Sequence, residues 1–125
     1  MDQRKYLASE INRVEETKDD ITALGESDSM MLALMEVLSP PEPVPLPGRY
    51  YTFIYKAKTP RIEYDTFPLI ACLEVYEWGF RGVNYHWGDF RNYDWEEVQS
   101  LFYLVYPAEL SDMRSIPYQN FTINN

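Results

Sequence analysis

The sequence predicts an α+β fold: a small curled antiparallel sheet or partly open β-barrel with one capped helix, preceded by an N-terminal helical arm. Three observations indicate this class. Apolar residues recur at three- and four-residue steps before residue 39, five prolines lie within residues 39–48, and aromatic and β-branched residues fill the rest. We therefore divide the 125 residues into an acidic helical arm (1–38), a proline-rich linker (39–48) and an aromatic-rich β-module (49–125).

The arm is predicted to contain two helices. The first carries a narrow apolar stripe opposite an acidic face, and the stripe consists of Leu7, Ile11, Val14, Ile21 and Leu24. A stripe this narrow suits a partner helix or a groove better than a core. The second helix begins at Ser27 or Asp28, runs to Leu38 and is apolar almost all round, so it must be covered. Either the β-module of the same chain or a partner would cover it.

The linker is predicted to be an extended polyproline-II segment, because each proline fixes φ and removes a hydrogen-bond donor. It would run along the surface of its own domain or present a proline ligand to a partner. After it, the residue types change to those of strands. We predict strands over residues 49–57, 68–76, 80–87 and 118–123, with a loop over 58–67 and a tight hairpin turn at 77–79.

One helix is predicted inside the β-module. Asp94 is its expected N-cap, and Glu97 three residues later completes a capping-box pattern. Its apolar residues recur at helical spacing as Trp95, Val98, Leu101, Phe102 and Val105. The helix would stop at Pro107, and a short helical piece would follow over residues 108–114.

Composition limits the classes of partner. The net charge is −9, with ten acidic and four basic side chains in residues 1–48. Nucleic acid is therefore disfavoured, because phosphate binding needs clustered Lys and Arg. No stretch is long and apolar enough for a membrane span. The single cysteine, Cys72, lies in an apolar run and is predicted to be a buried, inert thiol.

No motif predicts catalysis or a bound cofactor or metal. His86 is the only histidine, so we expect a hydrogen-bonded structural role rather than a base or a metal ligand. A glycosidase-like carboxylate pair is open among Asp89, Asp94, Glu96 and Glu97, but helix capping explains Asp94 and Glu97 more simply. The chain has no phosphate loop, dinucleotide fingerprint or nucleophile elbow.

Arginine and aromatic residues alternate between residues 81 and 95, where they would stack internally or against a partner. Together with the arm they supply the candidate interface residues. These are Leu7, Ile11, Val14, Ile21, Met31, Met35, Arg81, Trp87, Arg91 and Trp95.

Three segments carry a resemblance to a known family. Residues 47–60 read PGRYYTFIYKAKTP, residues 64–70 read YDTFPLI, and residues 79–87 read GFRGVNYHW. In this order and spacing they resemble virion structural proteins of large contractile-tailed bacteriophages of the myovirus, marine and cyanobacterial type. The resemblance covers roughly residues 47–120, and its motifs are structural rather than catalytic.

The resemblance implies a non-enzymatic structural subunit of a tailed-phage particle, in the tail, baseplate or neck, assembled in the host cytoplasm. Other virion subunits would be its partners, and a homo-oligomer is left open. The second hypothesis is a small DNA-associated or host-modulating phage protein, such as a DNA-end protector. Presence in particles would indicate the first, and DNA binding that weakens steeply with salt would indicate the second.

Overall fold

Helices come first along the chain and strands follow, as the change of residue pattern predicts. The computed structural model describes residues 10–125. The elements, in chain order, are α1 (Lys18–Thr22), α2 (Ser27–Val37), β1 (Tyr50–Thr52), β2 (Glu63–Asp65), β3 (Leu69–Val75), β4 (Gly79–Asn84), β5 (Phe90–Asp94), β6 (Tyr103–Val105), α3 (Leu110–Ser115) and β7 (Phe121–Ile123). The predicted α+β class is confirmed.

The strands form two antiparallel sheets. Five strands pair in the order β5-β4-β3-β1-β6, and β2 pairs with β7 in a separate two-stranded sheet. Strand β3 is the central strand. Strand β1 is also interior, since Tyr51 pairs with Ile70 on one side and with Leu104 on the other. The larger sheet is not closed into a barrel.

Each face of the larger sheet has its own core, because successive strand residues point to opposite faces. On one face, Tyr51 and Phe80 join a cluster of edge-to-face aromatic rings around Phe53. On the other face, Leu69 and Tyr103 pack in a core that the helices share. The aromatic density of the β-module is therefore mostly a packed interior.

The helical segment belongs to that second core. Val14, Ile21 and Met31 are each less than 5 % exposed and are buried in the same cluster as Leu69 and Tyr103. Their apolar faces were expected to be available to a partner, but the sheet of the same chain covers them. Leu7 lies outside the described residues. Among the arm's candidates, Ile11 is exposed and Met35 is half-buried.

Within the described residues the first predicted helix is interrupted. Glu10 is helical and α1 is regular, but the chain between them is not helical and is held by Asn12, whose side-chain oxygen accepts hydrogen bonds from the N–H groups of Val14 and Glu15, both at 3.0 Å. Such a side-chain bond offers the backbone an alternative to the helix. The second predicted helix is present as α2, but it begins at Ser27 with Glu26 at the N-cap position, where Ser27 or Asp28 was predicted.

The helix predicted after Asp94 is wrong. Asp94 does cap a turn, but the turn is a single 3₁₀ turn (Trp95–Glu97), and the chain then enters strand β6. Val98 bridges to Tyr55, and Ser100 accepts a hydrogen bond from the N–H of Ile54 at 2.9 Å. Pairing with the extended chain around β1 therefore overrides a helical period in residues that also have high β-propensity.

The hairpin of β3 and β4 is confirmed, and its glycines explain its geometry. A Cβ on Gly79 would lie 1.9 Å from the carbonyl oxygen of Tyr93, so only glycine fits there. A bulge interrupts β3 between Cys72 and Glu74, opposite Gly82. Residues 58–67, predicted to be a loop, contain strand β2, which pairs with the closing strand β7.

The proline-rich linker runs along the body of the molecule. Glu42 exchanges two backbone hydrogen bonds with Phe102, at 2.7 and 2.8 Å. The hydroxyl of Tyr51 accepts from the N–H of Leu46 at 2.9 Å and donates to the carboxylate of Glu42 at 3.1 Å. The linker therefore extends the edge of the larger sheet. Within residues 10–125, no helix has the length and apolar character required to cross a membrane.

Candidate functional site

A buried polar cluster lies where the two sheets meet. Asp65 ends β2, Asn84 ends β4 and His86 lies in the turn that follows. One Asp65 carboxylate oxygen accepts from the N–H groups of Phe67 at 3.0 Å and Asn120 at 3.3 Å. The other contacts the Asn84 side-chain nitrogen at 3.2 Å and His86 Nδ1 at 2.5 Å. One carboxylate thus joins three chain segments, residues 65–67, residues 84–86 and Asn120.

The histidine of this cluster is held on several sides. The side chains of His86 and Asp65 are only 3 % and 1 % exposed. The His86 N–H donates to Asn84 Oδ1 at 2.7 Å, and the imidazole stands edge-on to the ring of Tyr118 at 5.1 Å. Because a carboxylate only accepts hydrogen bonds, Nδ1 carries the proton. His86 is therefore hydrogen-bonded, as expected. Its partner Asp65 is 21 residues away and could not be identified from the residues around His86 in the sequence.

The pair of His86 and Asp65 resembles the general base and orienting carboxylate of a hydrolase only in part. His86 Nε2 is buried and has no hydrogen-bond partner among the described residues. A general base needs its substrate or nucleophile within hydrogen-bond reach. The geometry instead suits a structural role, in which the imidazole ties β4 to β2. Within residues 10–125, no group of three or more His, Cys, Asp or Glu side chains is placed to hold a metal ion.

Asp94 and Glu97, two of the four acidic residues that left a carboxylate pair open, have structural partners. Asp94 accepts from the N–H of Glu96 at 2.9 Å, which caps the 3₁₀ turn. Glu97 accepts from the Tyr55 hydroxyl at 2.8 Å and from the N–H of Lys58 at 2.6 Å. Burial, and then the hydrogen bond to Glu97, raise the pKa of Tyr55. Capping and packing account for both carboxylates.

The predicted arginine and aromatic candidates divide into two groups. Arg91 is half-buried over the Tyr55 ring, with 5.5 Å from guanidinium carbon to ring centroid. Trp87 stacks on Phe121 at 4.7 Å, and Trp95 packs on the ring of Phe80 at 5.4 Å. These three are mainly packing residues. Of the four candidates, only Arg81 is exposed.

Arg81 belongs to a continuous exposed surface that we call the aromatic surface, formed by Tyr76, Trp78, Arg81 and Phe90. The rings of Tyr76 and Trp78 stack at 5.0 Å and 9°. The Tyr76 hydroxyl donates to Glu74, which pairs across the strands with Arg81. The guanidinium of Arg81 lies 5.2 Å from the centre of the Phe90 ring. These contacts, together with the cross-strand register of Glu74 and Arg81, extend from the hairpin tip to edge strand β5.

The position of this surface explains its exposure. Glu74 and Arg81 lie on the face of the larger sheet that carries Leu69, where the helices supply the cover. The helices do not extend to the far end of that face. Trp78 is 46 % exposed and Phe90 is 63 % exposed. Phe90 lies within the predicted arginine and aromatic segment of residues 81–95. Tyr76 and Trp78 were not predicted as interface residues, although a tight hairpin turn is a signal that residues at its tip lack neighbours.

No family model, curated protein or solved structure matches the chain. The function is therefore inferred from the surfaces and contacts of the described residues.

Proposed function

We propose that the protein is a non-enzymatic structural subunit of a tailed-phage particle, in the tail, baseplate or neck. It docks on a neighbouring subunit through the aromatic surface. The observation that carries this proposal is the exposure of Trp78 and Phe90 on a rigid strand pair, joined by the contacts of Tyr76 and Arg81. Trp, Tyr and Arg are the residue types that dominate binding energy at protein interfaces.

The surface is organised before a partner binds. Phe90 lies in β5, which pairs along its length with β4, and the β3–β4 hairpin holds Trp78 at its tip. Stacked rings on hydrogen-bonded strands lose little conformational entropy on docking, which favours affinity. Exposed apolar surface joined in this way is typical of contact sites rather than of solvated strand faces.

The phage setting rests on the resemblance of residues 47–120 to virion structural proteins. The motif residues Asp65, Asn84 and His86 form the buried cluster that joins the two sheets. Their role within this fold is thus architectural, which agrees with a family whose shared motifs are structural.

Mass spectrometry of purified particles from the phage that encodes the chain tests the proposal. The protein is expected in the particles at a fixed copy number relative to known tail proteins. Its absence from particles, while it is abundant in infected cells, would contradict the proposal. Binding to duplex DNA that weakens steeply as salt rises would favour the DNA-associated alternative.

A further inference from the structure

The outward face of helix α2 carries a leucine between two acidic residues. Asp28, Leu32 and Glu36 follow one another at four-residue steps, which places them on one side of the helix. The Leu32 side chain is 62 % exposed, and both acidic residues are exposed. The opposite side of α2 packs in the core through Met31 and Leu34. The exposed leucine is therefore not part of the fold's own packing.

Residues 10–26, which precede this face, are also acidic. Their exposed acidic residues are Glu10, Glu15, Glu16, Asp19, Asp20 and Glu26. None of them, and neither Asp28 nor Glu36, forms an ion pair with another described residue. The two basic side chains within residues 10–26 are engaged elsewhere, Arg13 with Glu109 at 2.7 Å and Lys18 with Asp112 at 3.0 Å.

We propose that the outward face of α2 docks a basic amphipathic segment of another protein. An apolar side chain of that segment would cover Leu32, and Lys or Arg side chains on either side would pair with Asp28 and Glu36. This inference rests on the proposed function, because it names the chemistry of one neighbouring subunit. It adds a second contact surface beside the aromatic surface.

Charge complementarity selects this occupant. The chain has 20 acidic and 11 basic side chains, so a second copy offers little net positive charge. The aromatic surface of a second copy does not supply this positive charge either, since Arg81 faces Glu74 across the strands. Nucleic acid and anionic lipid would both be repelled by the same carboxylates. A basic protein segment gains both from the charge and from covering the leucine.

The outward face of α2 is rigid before a partner binds. The Arg13 guanidinium donates to both Glu109 carboxylate oxygens and to the carbonyl of Leu104, which fixes the segment that leads into α1. Helix α2 is anchored by its buried side chains, and Met31 and Leu34 are at most 1 % exposed. Docking therefore requires little rearrangement of this chain, so ordering it costs little binding free energy.

A synthetic peptide tests the proposal with the intact protein. The probe is an amphipathic peptide of Leu and Lys of about 14 residues, the length at which an isolated helix becomes marginally stable. A scrambled peptide of the same composition, without an apolar face, is its control. Binding is measured by fluorescence anisotropy and mapped by amide chemical-shift changes. We expect the changes to centre on residues 28–36, and affinity to fall as salt rises from about 0.05 to 0.3 M.

Matched variants separate the docking face from general acidity. Leu32→Ser and the double change Asp28→Asn with Glu36→Gln should each weaken binding about tenfold, which equals roughly 1.4 kcal/mol. Leu101→Ser, at another exposed leucine, and Glu77→Gln with Asp89→Asn should leave the affinity unchanged. These positions are exposed, so the variants should fold.

Three results would overturn the inference. They are equal binding of the scrambled peptide, shift changes centred outside residues 28–36, and an unchanged affinity of Leu32→Ser. Each of them leaves the presence of the protein in particles unaffected. Conversely, absence from particles would contradict the proposed function whether or not the peptide binds to α2.

Discussion

Single side chains join parts of this fold that lie far apart in the sequence, and Asp65 is the clearest case. Its carboxylate accepts hydrogen bonds from the end of β4, from the turn before β5 and from the chain entering β7. The sequence could indicate that His86 is structural, since no companion residue suggests a metal or catalytic site. It could not name the partner, because Asp65 is 21 residues away and lies in a segment predicted to be a loop.

Replacing Asp65 by Asn should destabilise the protein by about 2–4 kcal/mol. The amide keeps one accepting oxygen but replaces the other by an N–H₂ group, so the donors that bonded to that oxygen lose their acceptor. The free energy of unfolding, measured by urea denaturation, checks this. Asp89→Asn is the matched control, since Asp89 is exposed, and its effect should stay within about 0.5 kcal/mol. A loss below about 1 kcal/mol for Asp65→Asn would show that the cluster does not hold the sheets together.

The thiol of Cys72 should be unreactive in the folded protein. Burial raises its pKa to about 11, and the residue is 1 % exposed. At pH 8 the thiolate fraction is then about one part in a thousand. Alkylation by iodoacetamide should be slow in buffer and fast in urea, as followed by intact mass. Equal rates in the two conditions would contradict the buried position of Cys72.

At the scale of elements, a sequence pattern predicts the correct element where no alternative secondary structure suits the same residues. Helix α2 is apolar almost all round, and the structure places it at Ser27–Val37. The segment after Asp94 also has a helical period, but its aromatic and β-branched residues serve equally well in a strand. Contacts with Tyr55 and Ile54, distant in sequence, decide the outcome. A local pattern contains no information about those contacts.

An ion pair between Arg13 and the buried Glu109 is one of the contacts that attach the N-terminal segment to the body. Glu109 is fully buried and accepts from the Arg13 backbone and guanidinium and from the N–H of Tyr106. The Arg13 guanidinium also lies 4.4 Å from the Tyr106 ring centre. Hydrophobic periodicity does not detect such a contact, since it joins residues 96 positions apart. The expectation of an arm extending from the body therefore missed this attachment.

Replacing Glu109 by Gln should cost about 3–5 kcal/mol of unfolding free energy, because removal of one partner leaves the other buried charge uncompensated. It should also release the segment before α1 from the body. Trypsin cleavage after Arg13 and the urea midpoint measure the two effects. Glu96→Gln, which removes an exposed pair with Lys58, is the control and should change neither. Unaltered trypsin cleavage after Arg13 in Glu109→Gln would contradict the attachment.

A second contact of the same segment depends on pH. The Asn12 side chain, and then Lys18, hold the pKa of Asp112 below its ordinary value. Because the pKa of Asp112 is lower in the folded protein, the contact stabilises the fold at pH values above the pKa of Asp112 in the unfolded chain, about 4. This contribution disappears as the pH falls through the pKa of Asp112 in the folded protein. The stability difference between wild type and Asp112→Asn should thus be constant near neutrality, at most about 1 kcal/mol for so exposed a pair, and vanish in acid. Thermal unfolding across this pH range measures it, and a difference that grows in acid would contradict the assignment.

At the scale of the whole molecule, two of the exposed surfaces within residues 10–125 are proposed to dock partners. The aromatic surface lies at the uncovered end of the larger sheet, and the outward face of α2 carries Leu32 between carboxylates. Composition predicted the acidity and the shortage of basic side chains. It could not predict which aromatic residues stay exposed, because that depends on where the helices end on the sheet. A small acidic domain with two rigid contact surfaces suits an assembly subunit.

Competitive incorporation tests the central claim most directly. Wild-type protein and the double variant Trp78→Ser with Phe90→Ser are supplied together during particle assembly, and their ratio in purified particles is compared with the ratio supplied. If the aromatic surface docks the subunit, the variant should be depleted at least about tenfold, the effect of losing roughly 1.4 kcal/mol or more. The Leu101→Ser variant, which changes an exposed apolar residue outside that surface, should be incorporated like wild type. Incorporation of the double variant at the supplied ratio would contradict the claim.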